Sequence, residues 1–104
     1  GGWNEAIGRS SFVGGGEFNQ ALGFNSSITN SAFSKATATG SSVSGGYTAV
    51  ASGEHASVSG GNGNVAEGEF SWVGGGHGNT AASGYSSIFG GKELKAENEY
   101  EAIP

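Results

Sequence analysis

β-Branched aliphatic residues recur at every fifteenth position of this chain: Val13, Ile28, Val43, Val58, Val73, Ile88 and Ile103. A second series, Ala6, Ala21, Ala36, Ala51, Ala66, Ala81 and Ala96, keeps the same period. A fixed spacing of this kind identifies an array of one small unit and takes precedence over any local motif. Numbered from Ser11, the fifteen slots of a unit run Ser, any, Val/Ile, any, Gly, Gly, any, any, Asn, any, Ala, any, Gly, any, any. Residues 41–55, 56–70 and 71–85 fit best. Small or apolar residues fill slots 1, 3 and 5 and again 9, 11 and 13. That is alternation with period two, twice per unit, and it predicts two short strands.

Gly45-Gly46, Gly60-Gly61, Gly75-Gly76 and Gly90-Gly91 separate the two strands as corners, because glycine reaches positive φ without steric cost. Asn30-Ser31 stands in the one unit that lacks the pair, and Asn is the next residue able to adopt that conformation. No stretch places apolar residues at i, i+3, i+4 and i+7, so no helix is expected. The predicted fold is all-β: a parallel β-solenoid of about seven 15-residue coils forming one domain over residues 1–100. Coils start at residues 11, 26, 41, 56, 71 and 86, with partial coils at 1–10 and 101–104. At about 4.8 Å per coil the rod is roughly 30 Å long. Asn4, Asn19, Asn64 and Asn79 share slot 9 and are expected to stack as an internal amide ladder.

Composition narrows the picture. Glycine supplies 22 of 104 residues and only 35% are hydrophobic, which rules out a conventional globular core. Chains this rich in Gly are often disordered, but a disordered linker would not keep phase through seven units. Each coil buries little more than one Val or Ile and one Ala, and scaffolds so thin gain from association. Cysteine is absent, which removes disulfides and thiolate chemistry. Methionine is absent even at position 1, so the chain reads as an excised or processed segment. Residues 1–53 balance Glu5 and Glu17 against Arg9 and Lys35. Residues 54–104 set seven Glu against Lys92 and Lys95, which places the whole net charge of −5 there. A field of that sign disfavours nucleic acid and anionic membrane as partners. No apolar run exceeds Ala49–Ala51, so no membrane-spanning helix or signal peptide is expected within these residues.

All eleven aromatic residues lie outside the inward slots. Phe12 and Trp72 occupy slot 2, Phe89 slot 4, Tyr47 slot 7 and Phe24 slot 14. Trp3, Phe18 and Phe33 share slot 8, and Phe70, Tyr85 and Tyr100 share slot 15. Rings left in water as one contiguous patch mark an interface. Phe12, Phe18, Phe33, Phe70, Trp72, Tyr85, Phe89 and Tyr100 are therefore the candidate recognition residues. They are expected to pack one flank of the roll against identical chains or to form a partner groove, with Trp72 as the exposed anchor.

The string A-x-G-x-x-S-x-V-x-G appears as Ala51-Ser52-Gly53 through Ser57-Val58-Ser59-Gly60. It recurs at Ala66, Gly68, Ser71, Val73 and Gly75, and in shorter form at Ala21, Gly23, Ser26 and Ile28. This resembles the head repeat of YadA-like trimeric autotransporter adhesins, found also in phage tail fibres. The period here is fifteen rather than that family's commonest fourteen. The resemblance implies a left-handed β-roll that forms a homotrimer and lies extracellularly, on a cell surface or virion tail fibre. It also implies an outer surface that meets a host-surface protein or glycan.

The residues offer little to catalysis. His55 and His77 fall at slots 15 and 7 and are not neighbours, and the chain has no Cys or Asp, so no metal site is expected. Glu67 and Glu69, and Glu97, Glu99 and Glu101, read as solvated runs that protect an edge rather than as acid pairs. Gly74-Gly75-Gly76 belongs to no phosphate-binding motif, and Asn25-Ser26-Ser27 is a weak glycosylation signal. No catalytic residue and no cofactor is assigned. The expected function is a non-enzymatic structural or adhesive segment. The alternative is an ice-binding roll that presents Ser27, Ser42 and Ser57 beside Thr29, Ser44 and Ser59.

Overall fold

A computed structural model describes residues 2–104. The described chain is all-β, with parallel strands stacked as a β-solenoid of about seven turns, each fifteen residues long. One seven-stranded sheet carries the alanines: Glu5–Ala6, Gln20–Ala21, Lys35–Ala36, Val50–Ala51, Val65–Ala66, Thr80–Ala81 and Lys95–Ala96. A second seven-stranded sheet carries the β-branched residues: Phe12–Val13, Ser27–Ile28, Ser42–Val43, Ser57–Val58, Trp72–Val73, Ser87–Ile88 and Ala102–Ile103. Register is exact to the slot, with Val43 beside Val58 and Ala51 beside Ala66. The molecule measures 34 × 22 × 12 Å. The long dimension matches the rod expected from coil stacking.

Both predicted ladders are present, and a third, shorter one joins them. Gly16–Glu17, Ser31–Ala32 and Gly46–Tyr47 pair at slots 6 and 7, and single bridges at Asn62, His77 and Lys92 continue the column. The corner glycines explain why a third ladder forms. Gly46, Gly61 and Gly76 hold φ of +101°, +90° and +90°, which interrupts the strand alternation after slot 4. Slot 5 consequently does not point inward as alternation predicted: Asn30 is exposed there, and Ser31 at slot 6 is buried. In that coil the positive φ moves one residue earlier, to Asn30 at +47°, and Ser31 at slot 6 is free of it.

The interior is a double row. Ile28, Val43, Val58, Val73 and Ile88 face Ala21, Ala36, Ala51, Ala66, Ala81 and Ala96, all essentially inaccessible to solvent. Small alanines let the two sheets approach closely, and β-branched side chains have few χ1 states to lose when ordered on a pleated surface.

Slot 9 closes one side of this core. Asn19, Asn64 and Asn79 are fully buried. Their amides do not bond to one another but knit successive coils through the backbone. Asn64 Oδ1 accepts the N–H of Asn79 at 2.9 Å, and Asn64 Nδ2 donates to the carbonyls of Gly60 (2.8 Å) and Gly76 (3.2 Å). Asn79 repeats the arrangement on Leu94, Gly75 and Gly91. The amide needs glycine at slot 6, because a Cβ on Gly61 or Gly76 would collide with the Nδ2 of Asn64 or Asn79. Ser34 replaces the Asn in the coil where Ser31 replaces the glycine, and the two hydroxyls bond at 2.5 Å. Bulk lost at one slot is restored at the other.

Candidate functional site

Two further turns in every coil hold φ positive, and the aromatic columns sit on them. At slot 8 the residues are Trp3 (+62°), Phe18 (+56°), Phe33 (+56°), Thr48 (+51°), Gly63 (+68°), Gly78 (+67°) and Glu93 (+53°). Slot 15 holds Ser10 (+59°), Asn25 (+57°), Gly40 (+68°), His55 (+58°), Phe70 (+59°), Tyr85 (+59°) and Tyr100 (+64°). Slot 15 is the third residue of a β-turn closed by the N–H of slot 1 on the carbonyl of slot 13, as in Ser26 to Gly23 (3.1 Å) and Ser71 to Gly68 (3.0 Å). Positive φ at that position alone makes it a type II turn, which favours Gly or Asn. In three coils the slot 1 serine adds a second bond: Ser26 Oγ donates to the Gly23 carbonyl (2.6 Å), Ser41 Oγ to that of Ala38 (2.7 Å) and Ser86 Oγ to that of Ser83 (2.6 Å).

Because equivalent slots superimpose coil on coil, rings on these turns meet face to face. Phe18 and Phe33 stand 5.0 Å apart at 9°, with Trp3 stacked on Phe18 at 6.4 Å and Tyr47 meeting Phe33 edge-on at 5.7 Å. In the other column His55, Phe70, Tyr85 and Tyr100 stack at 5.0, 5.2 and 4.9 Å, none tilted by more than 16°. His55, exposed to solvent, is the first plate of this stack. Its place one coil before Phe70 in the same slot was the available signal.

Magnitudes decide what these stacks do for a single chain. A non-glycine residue in the left-handed region costs about 1–2 kcal/mol. A stacked pair returns about 0.5–1.5 kcal/mol, shared between two residues. Strain and stacking roughly cancel, so the isolated coil gains little from carrying Phe70 or Tyr85 where Asn or Gly would sit unstrained. The rings also remain in water: Phe18, Phe33, Phe70 and Tyr85 are 44–48% exposed.

The eight candidate residues do not form one contiguous patch, which corrects the single-flank expectation. The two columns lie on opposite edges of the flattened roll, because the extended residues of the alanine sheet run between slots 8 and 15. Phe18 and Phe33 belong to one edge, and Phe70, Tyr85 and Tyr100 to the other. Trp72 and Phe89 form a third group on the outer face of the β-branched sheet, 6.0 Å apart at 60°. Phe12 stands alone at the N-terminal end of that face, its ring lying over Gly14. Trp72 is not the exposed anchor expected of it. It is half-buried, its ring crosses Gly74, and its Nε1 donates to Ser59 Oγ at 3.0 Å.

The serine array survives in register, Ser27 beside Ser42 beside Ser57, but Phe12 and Trp72 bound it at three coils. Thr29 Oγ1 donates to the Ser44 carbonyl at 3.2 Å. A cavity of about 570 Å³ opens beside Trp72, Ser87, Phe89, Ala102, Ile103 and Pro104, with Ser87 its one side chain bearing a nucleophilic atom and no acid or base among its walls. Among the described residues no three His, Cys, Asp or Glu side chains converge as metal ligands, and no helix is long and apolar enough to cross a membrane.

The fold and its edges define a parallel β-solenoid with two positive-φ turns per coil, of which at most one carries a Phe, Tyr or Trp ring. No family model matches the chain, and neither does any curated protein or solved structure.

Proposed function

We propose that this chain is a non-enzymatic attachment segment, a homotrimeric β-roll head or fibre displayed on a bacterial or phage surface. The observation that carries the reading is the pair of aromatic columns held outward on strained turns. Inside one chain stacking only offsets their strain, so a net return calls for contact with another molecule. A rod with a rigid, repeating exterior suits presentation of surface, as stacked arrays generally do. The A-x-G-x-x-S-x-V-x-G spacing, similar to that of YadA-like heads, supports the same assignment. On this reading the partner beyond the trimer is a host-surface protein or glycan.

Attachment is tested by coating beads with the purified chain and measuring their retention under flow on host-cell monolayers and on glycan arrays. Coated beads are expected to be retained well above uncoated ones. Retention equal to the uncoated control on every surface refutes the assignment. Thermal hysteresis of the same preparation would transfer the function to ice.

A further inference from the structure

At slots 8 and 15 the two edges of the roll are complementary through most levels, the exceptions being the exposed ring of Phe24 beside Asn25 and Glu93 level with Tyr100. In the coils of Trp3, Phe18 and Phe33, slot 8 is aromatic, and slot 15 holds Ser10, Asn25 and Gly40. In the coils of Phe70 and Tyr85 the order inverts: slot 15 is aromatic and slot 8 is Gly63 or Gly78. The exchange happens in the coil between, where Thr48 faces away from His55. Nothing within one chain imposes this. The two columns are separated by the alanine sheet, and a Cβ on Gly63 would meet no atom closer than 3.9 Å, on Gly78 none closer than 3.5 Å. Both glycines also hold φ within about 12° of Phe18 and Phe33, so the same turn accepts either residue.

Charge inverts with size. In the first half the acid Glu17 lies on the slot 8 edge and the base Arg9 on the slot 15 edge. In the second half Glu54, Glu69 and Glu99 lie beside slot 15, and Lys92 with His77 beside slot 8. All of these side chains are exposed. Glu93 is the one carboxylate out of pattern.

We infer that copies of this chain associate edge to edge, parallel and level with one another, each aromatic column seated on the small-residue column of the next copy. Phe70 and Tyr85 of one copy cover Gly63 and Gly78 of its neighbour. Phe18 and Phe33 of that neighbour cover Asn25 and Gly40 of the first. Lys92 then faces Glu99 across the contact. Such a contact joins two different surfaces, so it closes as a ring or continues as a ribbon. Area favours the ring. One edge offers about 400 Å² in projection from its 34 by 12 Å outline, about half of what a stable interface buries per partner. A ring lets every copy use both edges. The inference rests on the self-associating roll proposed above and specifies which surfaces meet and in what register.

Multi-angle light scattering and sedimentation velocity test it on the full chain, with circular dichroism reporting whether the roll is intact. The unaltered protein is expected as a small multiple of 10.2 kDa. Phe70→Gly with Tyr85→Gly removes the knobs, and Gly63→Phe with Gly78→Phe fills the holes. Each pair is expected to reduce the mass to that of one chain with the β-signal retained. All four changes together make the edges complementary again, with the roles of the edges exchanged, and are expected to restore assembly. Carbodiimide coupling should join Lys92 to Glu99 between copies, since the two lie on opposite edges of any one chain. A monomeric unaltered protein, assembly indifferent to the filled glycines, failure of the fourfold exchange to restore it, or an assembly without the Lys92–Glu99 link each overturns the inference. Assembly that ignores these edges leaves the attachment reading standing, whereas unretained beads of an edge-paired assembly refute attachment alone.

Discussion

Replacing Asn64 with alanine removes three hydrogen bonds from a site that water does not reach. The side chain is 0% exposed, accepts the Asn79 N–H through Oδ1, and donates through Nδ2 to the carbonyls of Gly60 and Gly76. Each bond is worth about 0.5–1.5 kcal/mol net, and a buried group left without a partner costs about 1–3 kcal/mol. The Asn79 N–H lies against the core and bears the full penalty. The Gly76 carbonyl also accepts the Asn62 N–H at 2.9 Å, so its loss is smaller. The expected destabilisation is about 3 kcal/mol. For a domain near this size that lowers the melting midpoint by about 12 °C or more. Urea titration followed by circular dichroism, at one fixed protein concentration because association contributes to stability, reads the change directly. The slope should be unchanged, since the same surface is exposed on unfolding. A loss below about 0.5 kcal/mol would mean that the slot 9 amides fill space without bearing on the fold.

The converse substitution, Ala49→Asn, puts the amide into the one interior coil where slot 9 is apolar and slot 6 is already Gly46. The new Oδ1 would meet the Asn64 N–H, and a gain of about 1–2 kcal/mol in urea midpoint stability is expected. Ile28→Ala opens a cavity in the double row and is expected to cost about 2–5 kcal/mol by the same titration. Gly74→Ala places a methyl group 2.6 Å from the Phe89 carbonyl oxygen and 2.7 Å from the Trp72 ring, so the strand must shift along with the ring. The indole should lift from the sheet, and its emission should shift to the red when read in a Trp3→Phe background.

The two ladders could be read from the sequence because the fifteen-residue period, Val/Ile at slot 3 and Ala at slot 11 all express the same stacking. The column at slot 6 was harder to see. It pairs three strands where the other ladders pair seven, and the glycines that create it read equally well as a corner. The turns at slots 8 and 15 escaped because Phe18, Phe70 and Tyr85 are, taken singly, among the residues least suited to positive φ. Reading each slot down the array instead of along the chain exposes them. Gly63 and Gly78 mark slot 8, and Asn25 and Gly40 mark slot 15, as backbone positions of the left-handed region. Trp72 was misplaced for a different reason: its neighbour Gly74 frees the surface on which the indole lies. Paired with the glycine two residues on, as Phe12 is with Gly14, the ring would have been expected flat.

Strict superposition of slots makes fifteen residues the natural increment of length for this molecule. Copying residues 56–70 in place would lengthen the rod by one layer, about 4.8 Å, and every ladder would close again above and below the insert. The copied segment would bring Phe70 and Gly63 together, so a lengthened rod would keep matched sides at every height. A gain or loss of fourteen or sixteen residues would instead turn each later valine outward. Growth of this protein is therefore stepwise, and its side-by-side fit is inherited with each step.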